Sequence, residues 1–186
     1  MSTQIIRGTV YKDGFSDIPA KIILHDNDII TTKRGTFKVE KILGKGGFGT
    51  VCKVISEFDE HTYALKLLNL WEMRPDEFDF LITKFKQGYK AGRLESANIV
   101  NSFDMGFIGG NPYILMEYCP NKSLEDQLSY FDDEKKYLRL AAELLNGLET
   151  LHKNGIIHRD IKPENVLFTE NMTAKLTDFD LSGHLN

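Results

Sequence analysis

The sequence predicts an α+β fold in two lobes, on three observations. Five β-like runs between residues 36 and 118 are joined by short turns, one amphipathic helix interrupts them, and a long amphipathic helix dominates the remainder of the chain. The expected organisation is an N-terminal extension at 1–35, a strand-rich lobe at 36–118 and a partial helical lobe at 119–186.

Within residues 1–35, short β-like runs (Ile5-Ile6, Lys21 to Leu24, Ile29-Ile30) alternate with turn signals at Lys12-Asp13-Gly14 and Asp26-Asn27-Asp28. These residues carry no recognisable chemistry, and the expectation is a structural extension packed against the rest. Thr36 to Leu43 alternates in its first half and reads as a strand; Thr50 to Ile55 is β-branched and reads as a second. A turn at Phe58 to His61 leads to a third strand at Thr62 to Leu68, so the three form an antiparallel meander.

Pro75 suits a helix's first turn, and Asp76 and Glu77 suit its positive end. Phe78, Leu81, Ile82, Phe85 and Tyr89 recur at helical spacing, predicting a helix over 75–94. Two further strands are expected at Ile99 to Phe107 and Tyr113 to Tyr118, around a Gly109-Gly110-Asn111-Pro112 turn. The second helix is expected to be capped by Asp132, to bury Tyr137, Ala141, Leu144, Leu148 and Leu151, and to end at Asn154-Gly155.

Composition narrows the function classes. Hydrophobic residues at 41% and charged residues at 27% supply a packed core and exclude a disordered tail. A net charge of −4 provides no broad basic field, which argues against nucleic acid or an anionic membrane as partner. No apolar run is long enough to cross a bilayer, and the first residues lack the pattern of a signal peptide. Cys52 and Cys119 fall in no CxxC pair, so two free thiols in a reducing compartment, the cytoplasm, are expected.

The chemistry begins at Gly44-Lys45-Gly46-Gly47-Phe48-Gly49-Thr50-Val51, a G-x-G-x-x-G-x-V string. Glycines let backbone N–H groups approach phosphate oxygens closely. Dinucleotide-binding folds use a similar pattern, but between a strand and a helix; here the glycines lie between two strands. Lys66 stands in the third strand, 17 residues after the last loop glycine, where it can reach phosphates as a point charge. Small Ala64 leaves room for a flat ring.

Directly after the second helix comes His158-Arg159-Asp160-Ile161-Lys162-Pro163-Glu164-Asn165. Together with the glycine loop and Lys66, this string resembles the eukaryotic-type protein kinase superfamily over roughly residues 36 to 184. The resemblance implies a transfer of the ATP γ-phosphate to serine or threonine hydroxyls of protein substrates. Asp160 would take the hydroxyl proton, Lys162 would neutralise charge on the transferred group, and Lys66 would hold phosphates. Asn165 would bind Mg2+, as would Asp178 of Thr177-Asp178-Phe179-Asp180, which is similar to the family's Asp-Phe-Gly motif. The implied ATP-binding set is Leu43, Gly44, Gly46, Gly47, Phe48, Gly49, Val51, Ala64, Lys66, Met116, Glu117, Cys119 and Leu167. Within it, Leu167 would lie beneath adenine, Met116 at the back of its pocket, and the Glu117 and Cys119 backbones along its edge.

Three departures from the family pattern stand out. The helix glutamate that partners the strand lysine is replaced, by counting back from Ser96 to Val100, with Gln87, which can hydrogen-bond a lysine but not neutralise it. Glu77 and Glu95 are out of register with it. Asp180 stands where the motif carries glycine. Finally, the sequence stops at Asn186, so Leu144, Leu148 and Leu151 are expected to lack partner surface. The product is then marginally stable, completed by a partner, or part of a longer kinase. The readings are an ATP- and Mg2+-dependent Ser/Thr kinase, a nucleotide-binding pseudokinase that regulates a partner, or a non-catalytic fragment. A small-molecule kinase is disfavoured, because those enzymes generally lack the Lys162 to Asn165 continuation.

Overall fold

A computed structural model describes residues 5–9, 19–46, 49–179 and 183–184. The expected turn at Lys12-Asp13-Gly14, and Gly47, Phe48 and Asp180, lie outside these. The chain divides into two units, Met1–Ile82 with Ser102–Tyr118, and Thr83–Asn101 with Cys119–Asn186.

Among the described residues, the first unit has seven strands. These are β1 (Ile5–Thr9), β2 (Ile29–Thr32), β3 (Gly35–Gly46), β4 (Gly49–Ser56), β5 (Thr62–Leu67), β6 (Ser102–Ile108) and β7 (Asn111–Glu117). The five strands expected from the sequence are β3 to β7. They pair antiparallel, and the sheet closes as a barrel in the order β1-β2-β3-β4-β5-β7-β6. Closure comes from the segment before residue 35. β2 pairs antiparallel with β3, while β1 runs parallel to β2 and antiparallel to β6. Side chains alternate along β4: Thr50, Cys52 and Val54 are buried, while Val51, Lys53 and Ile55 are only half-buried. Of these, Cys52 and Val54 join Leu65, Leu67, Tyr113 and Leu115 in one core.

Local chemistry explains the turns. Asn27 adopts φ 71° at the expected Asp26 to Asp28 turn, a conformation asparagine tolerates. Gly109 and Gly110 take φ 52° and 81°, as a two-residue hairpin turn of the primed kind requires. Asn111 and Pro112 therefore belong to β7, not to the turn. Lys21 to Leu24 forms no strand, although Ile22 and Leu24 are buried; β6 starts at Ser102 because Ile99 bridges instead to Leu176.

The expected 75–94 helix is a 3-10 turn at Pro75–Glu77 followed by α1 (Phe78–Ala91), which buries Ile82, Phe85 and Ala91. In the second unit α2 (Glu134–Lys153) precedes four short strands. These are β8 (Ile156–Ile157), β9 (Val166–Phe168), β10 (Ala174–Leu176) and β11 (Gly183–His184), with β9 antiparallel to β10 and β8 antiparallel to β11.

Two expectations for α2 are corrected. Its cap is Asp133, whose carboxylate accepts the Lys136 N–H, while Asp132 forms an ion pair with Lys136 Nζ at 2.6 Å. The buried stripe is Leu140, Gly147 and Leu151 with Leu144 and Leu148 half-buried; Tyr137 and Ala141 are exposed. Gly147 sets this face, since a Cβ there would stand 2.8 Å from the Asn98 carbonyl oxygen. The leucines expected to lack partners thus pack on Ile99, Val166, Phe168 and Leu176, and the outward apolar residues are Leu138 and Leu145. No helix among the described residues is long and apolar enough to cross a membrane. Cys52 and Cys119 are free and buried, and burial pushes the Cys52 thiol up to about 12.

Candidate active site

The candidate residues fall into two groups, one in each unit. In the first unit the sheet register places them. Val51 of β4 lies opposite Lys66 of β5, and Ala64 of β5 lies opposite Met116 of β7. Cross-strand partners, and residues two apart on one strand, share a face. Val51, Ala64, Lys66 and Met116 therefore share one face of the sheet, and Cys52, Leu65 and Leu115 occupy the face that forms the barrel core. Glu117 ends β7 opposite Tyr63.

Among the described residues of the glycine string, Gly44 lies opposite Val51 and Gly46 opposite Gly49 where β3 pairs with β4. Its glycines serve different purposes. Gly49 has φ 147°, and a Cβ there would meet the Leu67 carbonyl oxygen at 2.0 Å, so the protein's own backbone demands glycine. Among the described residues, a Cβ at Gly44 or Gly46 would meet nothing within 4 Å. Glycine at those two positions is not needed for packing, which leaves their backbone open to a ligand such as a polyphosphate. Leu43 precedes them and is exposed.

In the second unit the segment between β8 and β9 is organised around a buried histidine. The Asp160 N–H donates to His158 Nδ1 at 3.3 Å, which requires a lone pair there and puts the ring proton on Nε2. Nε2 then donates to the Thr177 carbonyl oxygen at 2.9 Å. Burial is the main cause holding the His158 pKa below its ordinary value, consistent with this neutral form. One ring thus ties Asp160 to the chain just before Asp178, and it packs 5.0 Å from the Phe179 ring.

The Asp160 carboxylate is held from two sides. Asn165 Nδ2 donates to its Oδ2 and to its backbone oxygen, both at 2.9 Å, and Lys162 Nζ lies 3.0 Å from Oδ2. The Lys162 hydrogen bond is the largest cause that lowers the Asp160 pKa, and it raises that of Lys162 in return. Asn165 uses its NH2 group in these bonds, so its amide oxygen, a hard donor suited to a divalent cation, stays available. The Thr177 N–H donates to the Asn165 carbonyl oxygen at 3.0 Å, which brings Asp178 next to Asn165 along the chain path. Arg159 and Asp178 both adopt left-handed backbone conformations, φ 66° and 61°; such strained non-glycine residues concentrate at functional sites.

Leu167, in β9, points away from the side occupied by buried Val166 and Phe168, and Cys119 opens the second unit's later segment. Gln87 lies on α1, and its Oε1 is buried without a hydrogen-bond partner among the described residues. Glu77 and Glu95 are exposed.

Two positioning residues have no signal in the sequence. Glu143 of α2 accepts the Ala174 N–H at 2.7 Å, and Asn98 Nδ2 donates to the Ala174 carbonyl oxygen at 2.9 Å, together fixing the strand that leads to Asp178. Each looks like an ordinary polar surface residue until β10 is placed beside it.

A lysine on a sheet face shared with Val51 and Ala64, and a carboxylate held by asparagine and lysine, are each groups whose chemistry suits phosphate transfer. This chain belongs to the protein kinase domain family, whose sequence pattern matches residues 37–186. It is 35% identical over 155 residues, 82% of its length, to a probable serine/threonine-protein kinase of Clostridium acetobutylicum. It is 37% identical over 152 residues, 80% of its length, to the serine/threonine-protein kinase pakG of Dictyostelium discoideum, and 32% identical over 151 residues, 81% of its length, to KIC1 of Saccharomyces cerevisiae. The chain spans 23%, 12% and 14% of these relatives' own lengths. Members of the family generally use ATP and Mg2+.

Proposed function

We propose that this chain carries the phosphate-transfer machinery of a serine/threonine protein kinase, with residues 36–118 as the ATP-binding lobe, 119–186 as the catalytic portion and 1–35 as an extension. The observation that carries this is the Asp160 carboxylate, kept ionised by Lys162 and oriented by Asn165. A carboxylate so held can accept a hydrogen bond from a serine or threonine hydroxyl and turn its oxygen toward phosphorus. In the transfer, the hydroxyl oxygen bonds the γ-phosphorus as the bridge to the β-phosphate breaks; ADP leaves and the hydroxyl proton passes to Asp160. Lys162 offsets charge on the moving group, and Lys66 anchors the phosphates that remain on ADP. In the first unit Gly44, Gly46, Gly47, Phe48 and Gly49 are assigned to the phosphates and Leu43, Val51, Ala64, Met116 and the Glu117 backbone to adenine; in the second, Leu167 and the Cys119 backbone are assigned to adenine by the same family resemblance. Asn165 and Asp178 would hold Mg2+, which when bound neutralises charge on the phosphate oxygens.

Close sequence similarity to named serine/threonine kinases supports the choice of substrate hydroxyl. The net charge of −4 supports a protein substrate over nucleic acid, and two buried free thiols support a cytoplasmic setting. One feature favours a second reading, a nucleotide-binding regulator without transfer: Gln87 stands where an acidic partner for Lys66 is expected.

The test is label transfer from γ-labelled ATP to a generic protein substrate by the wild type, Asp160→Ala and Lys66→Ala. Transfer should drop by about 10²–10⁴ in Asp160→Ala. Label that survives this substitution sinks the proposal, and nucleotide-dependent thermal stabilisation with no transfer by the wild type establishes the second reading instead.

A further inference from the structure

The segment before residue 37 lies outside the family match, yet it is woven into the first unit at three levels. Its strands close the barrel, covering both the β3 edge and the β6 edge. Ile22, Leu24 and Ile30 sit in the barrel core. Between these anchors, Ala20 bonds Asn111 and Gly109, and Lys21 lies over Trp71 in the part of the chain that leads into α1.

That contact runs through one fully buried amide. Asn111 Nδ2 donates to the Ala20 carbonyl oxygen at 2.8 Å and to the Gly109 carbonyl oxygen at 3.2 Å. Its Oδ1 accepts the Trp71 N–H at 3.4 Å. The Ala20 N–H in turn donates to the Gly109 carbonyl oxygen at 2.7 Å, and Lys21 Nζ lies 5.3 Å from the Trp71 ring centroid. Trp71 belongs to the 3-10 turn Leu70–Glu72, followed by the turn at Pro75–Glu77 and then α1. The Asn111 amide and the Lys21–Trp71 contact therefore couple the arm to the approach of the helix that carries Gln87.

The junction is also incompletely satisfied. Asn69 Oδ1 and Trp71 Nε1 are buried with no hydrogen-bond partner among the described residues. Opening the junction would give both atoms to water, which lowers the cost of opening relative to a fully paired contact. A tie that is specific but cheap to release suits a switch better than a permanent staple.

We propose that residues 19–32 are a regulatory strap: docked, they hold residues 69–77 and so the start of α1; released, they loosen that segment and reduce phosphate transfer. The link to transfer rests on the kinase function proposed above, whereas the mechanical coupling does not.

The experiment is hydrogen exchange on the full chain for the wild type, Asn111→Asp and Lys21→Ala, with phosphate transfer measured alongside. Asn111→Asp keeps an oxygen for the Trp71 N–H but removes the donor to Ala20. Exchange should rise about tenfold across residues 19–32 and severalfold across 69–77, with β4 and β5 unchanged. Lys21→Ala cuts only the ring contact; it should raise exchange across 69–77 and shift the emission of Trp71, the sole tryptophan. If Asn111→Asp does not fold, Lys21→Ala decides. Opening of 19–32 with 69–77 protected as in the wild type overturns the coupling. Opening of both with undiminished transfer overturns the regulatory role. A wild type that transfers no phosphate, with the exchange coupling intact, removes the kinase reading and leaves the mechanical strap standing.

Discussion

The two kinds of glycine in the β3–β4 hairpin allow a test in which folding and ligand binding separate. At Gly49, an alanine Cβ would stand 2.0 Å from the Leu67 carbonyl oxygen and 3.0 Å from its carbon, so backbone must move, and φ 147° is closed to alanine in any case. Overpacking costs about 1–3 kcal/mol and a forbidden backbone conformation about 1–3 kcal/mol. Because one hairpin shift relieves part of both, Gly49→Ala should lose about 2–4 kcal/mol. At Gly46 the same substitution meets nothing within 4 Å and no positive φ. Gly46→Ala should leave stability unchanged or raise it by up to about 1 kcal/mol, through a less flexible unfolded chain. Urea unfolding at constant m measures both stabilities, and titration with a non-hydrolysable ATP analogue measures nucleotide affinity. Gly49→Ala should unfold early, whereas Gly46→Ala should unfold normally and bind nucleotide more weakly. A Gly49→Ala protein as stable as the wild type would refute the packing argument. A Gly46→Ala protein with wild-type affinity would refute the assignment of that backbone to phosphate.

The remaining predictions concern the second unit. Lys162→Met removes the largest cause that lowers the Asp160 pKa, so carboxyl NMR should show Asp160 titrating at higher pH, nearer 3.8; an unchanged or lower midpoint counts against the clamp. The wild type's Asp160 contribution to stability is present above that ordinary value and fades as pH falls through the lowered one, and Lys162→Met should lose part of it. His158 acts in the same direction at higher pH, because its folded pKa is lowered too. Its folded form resists the proton that the unfolded chain takes up near 6.5, so stability should decline as pH falls below that value. His158→Asn should flatten the decline, and equal slopes in the two proteins would dismiss the neutral, doubly bonded ring. On α2, Leu151→Ala should cost about 2–5 kcal/mol, while Leu145→Ala should stay within about 0.5 kcal/mol. Equal losses would mean the helix buries another face.

Local pattern carried most of the fold. Strands β3 to β7 were legible because their β-branched and alternating residues sit between strong turn signals, and α1 and α2 because their apolar residues recur at helical spacing. Errors fell where neighbours outside the segment decide. Leucine spacing on α2 is nearly satisfied by two adjacent stripes, and only the close approach at Gly147 selects the one through Leu140 and Leu151. Asp132 and Asp133 are equally good caps by composition; backbone conformation gives the role to Asp133.

From the sequence alone came the family resemblance and the chemistry it implies, because a glycine string, a lysine and the His158 to Asn165 run are read by residue type and spacing, which survive without coordinates. The tertiary structure decided that the N-terminal arm completes the barrel, that Gly49 serves packing while Gly44 and Gly46 do not, and that His158 is a neutral bridge from Asp160 to Thr177. Each of these depends on groups far apart in the chain. A hydrogen bond from Asn111 to Ala20 spans 91 residues, and no local propensity encodes a contact made across that separation.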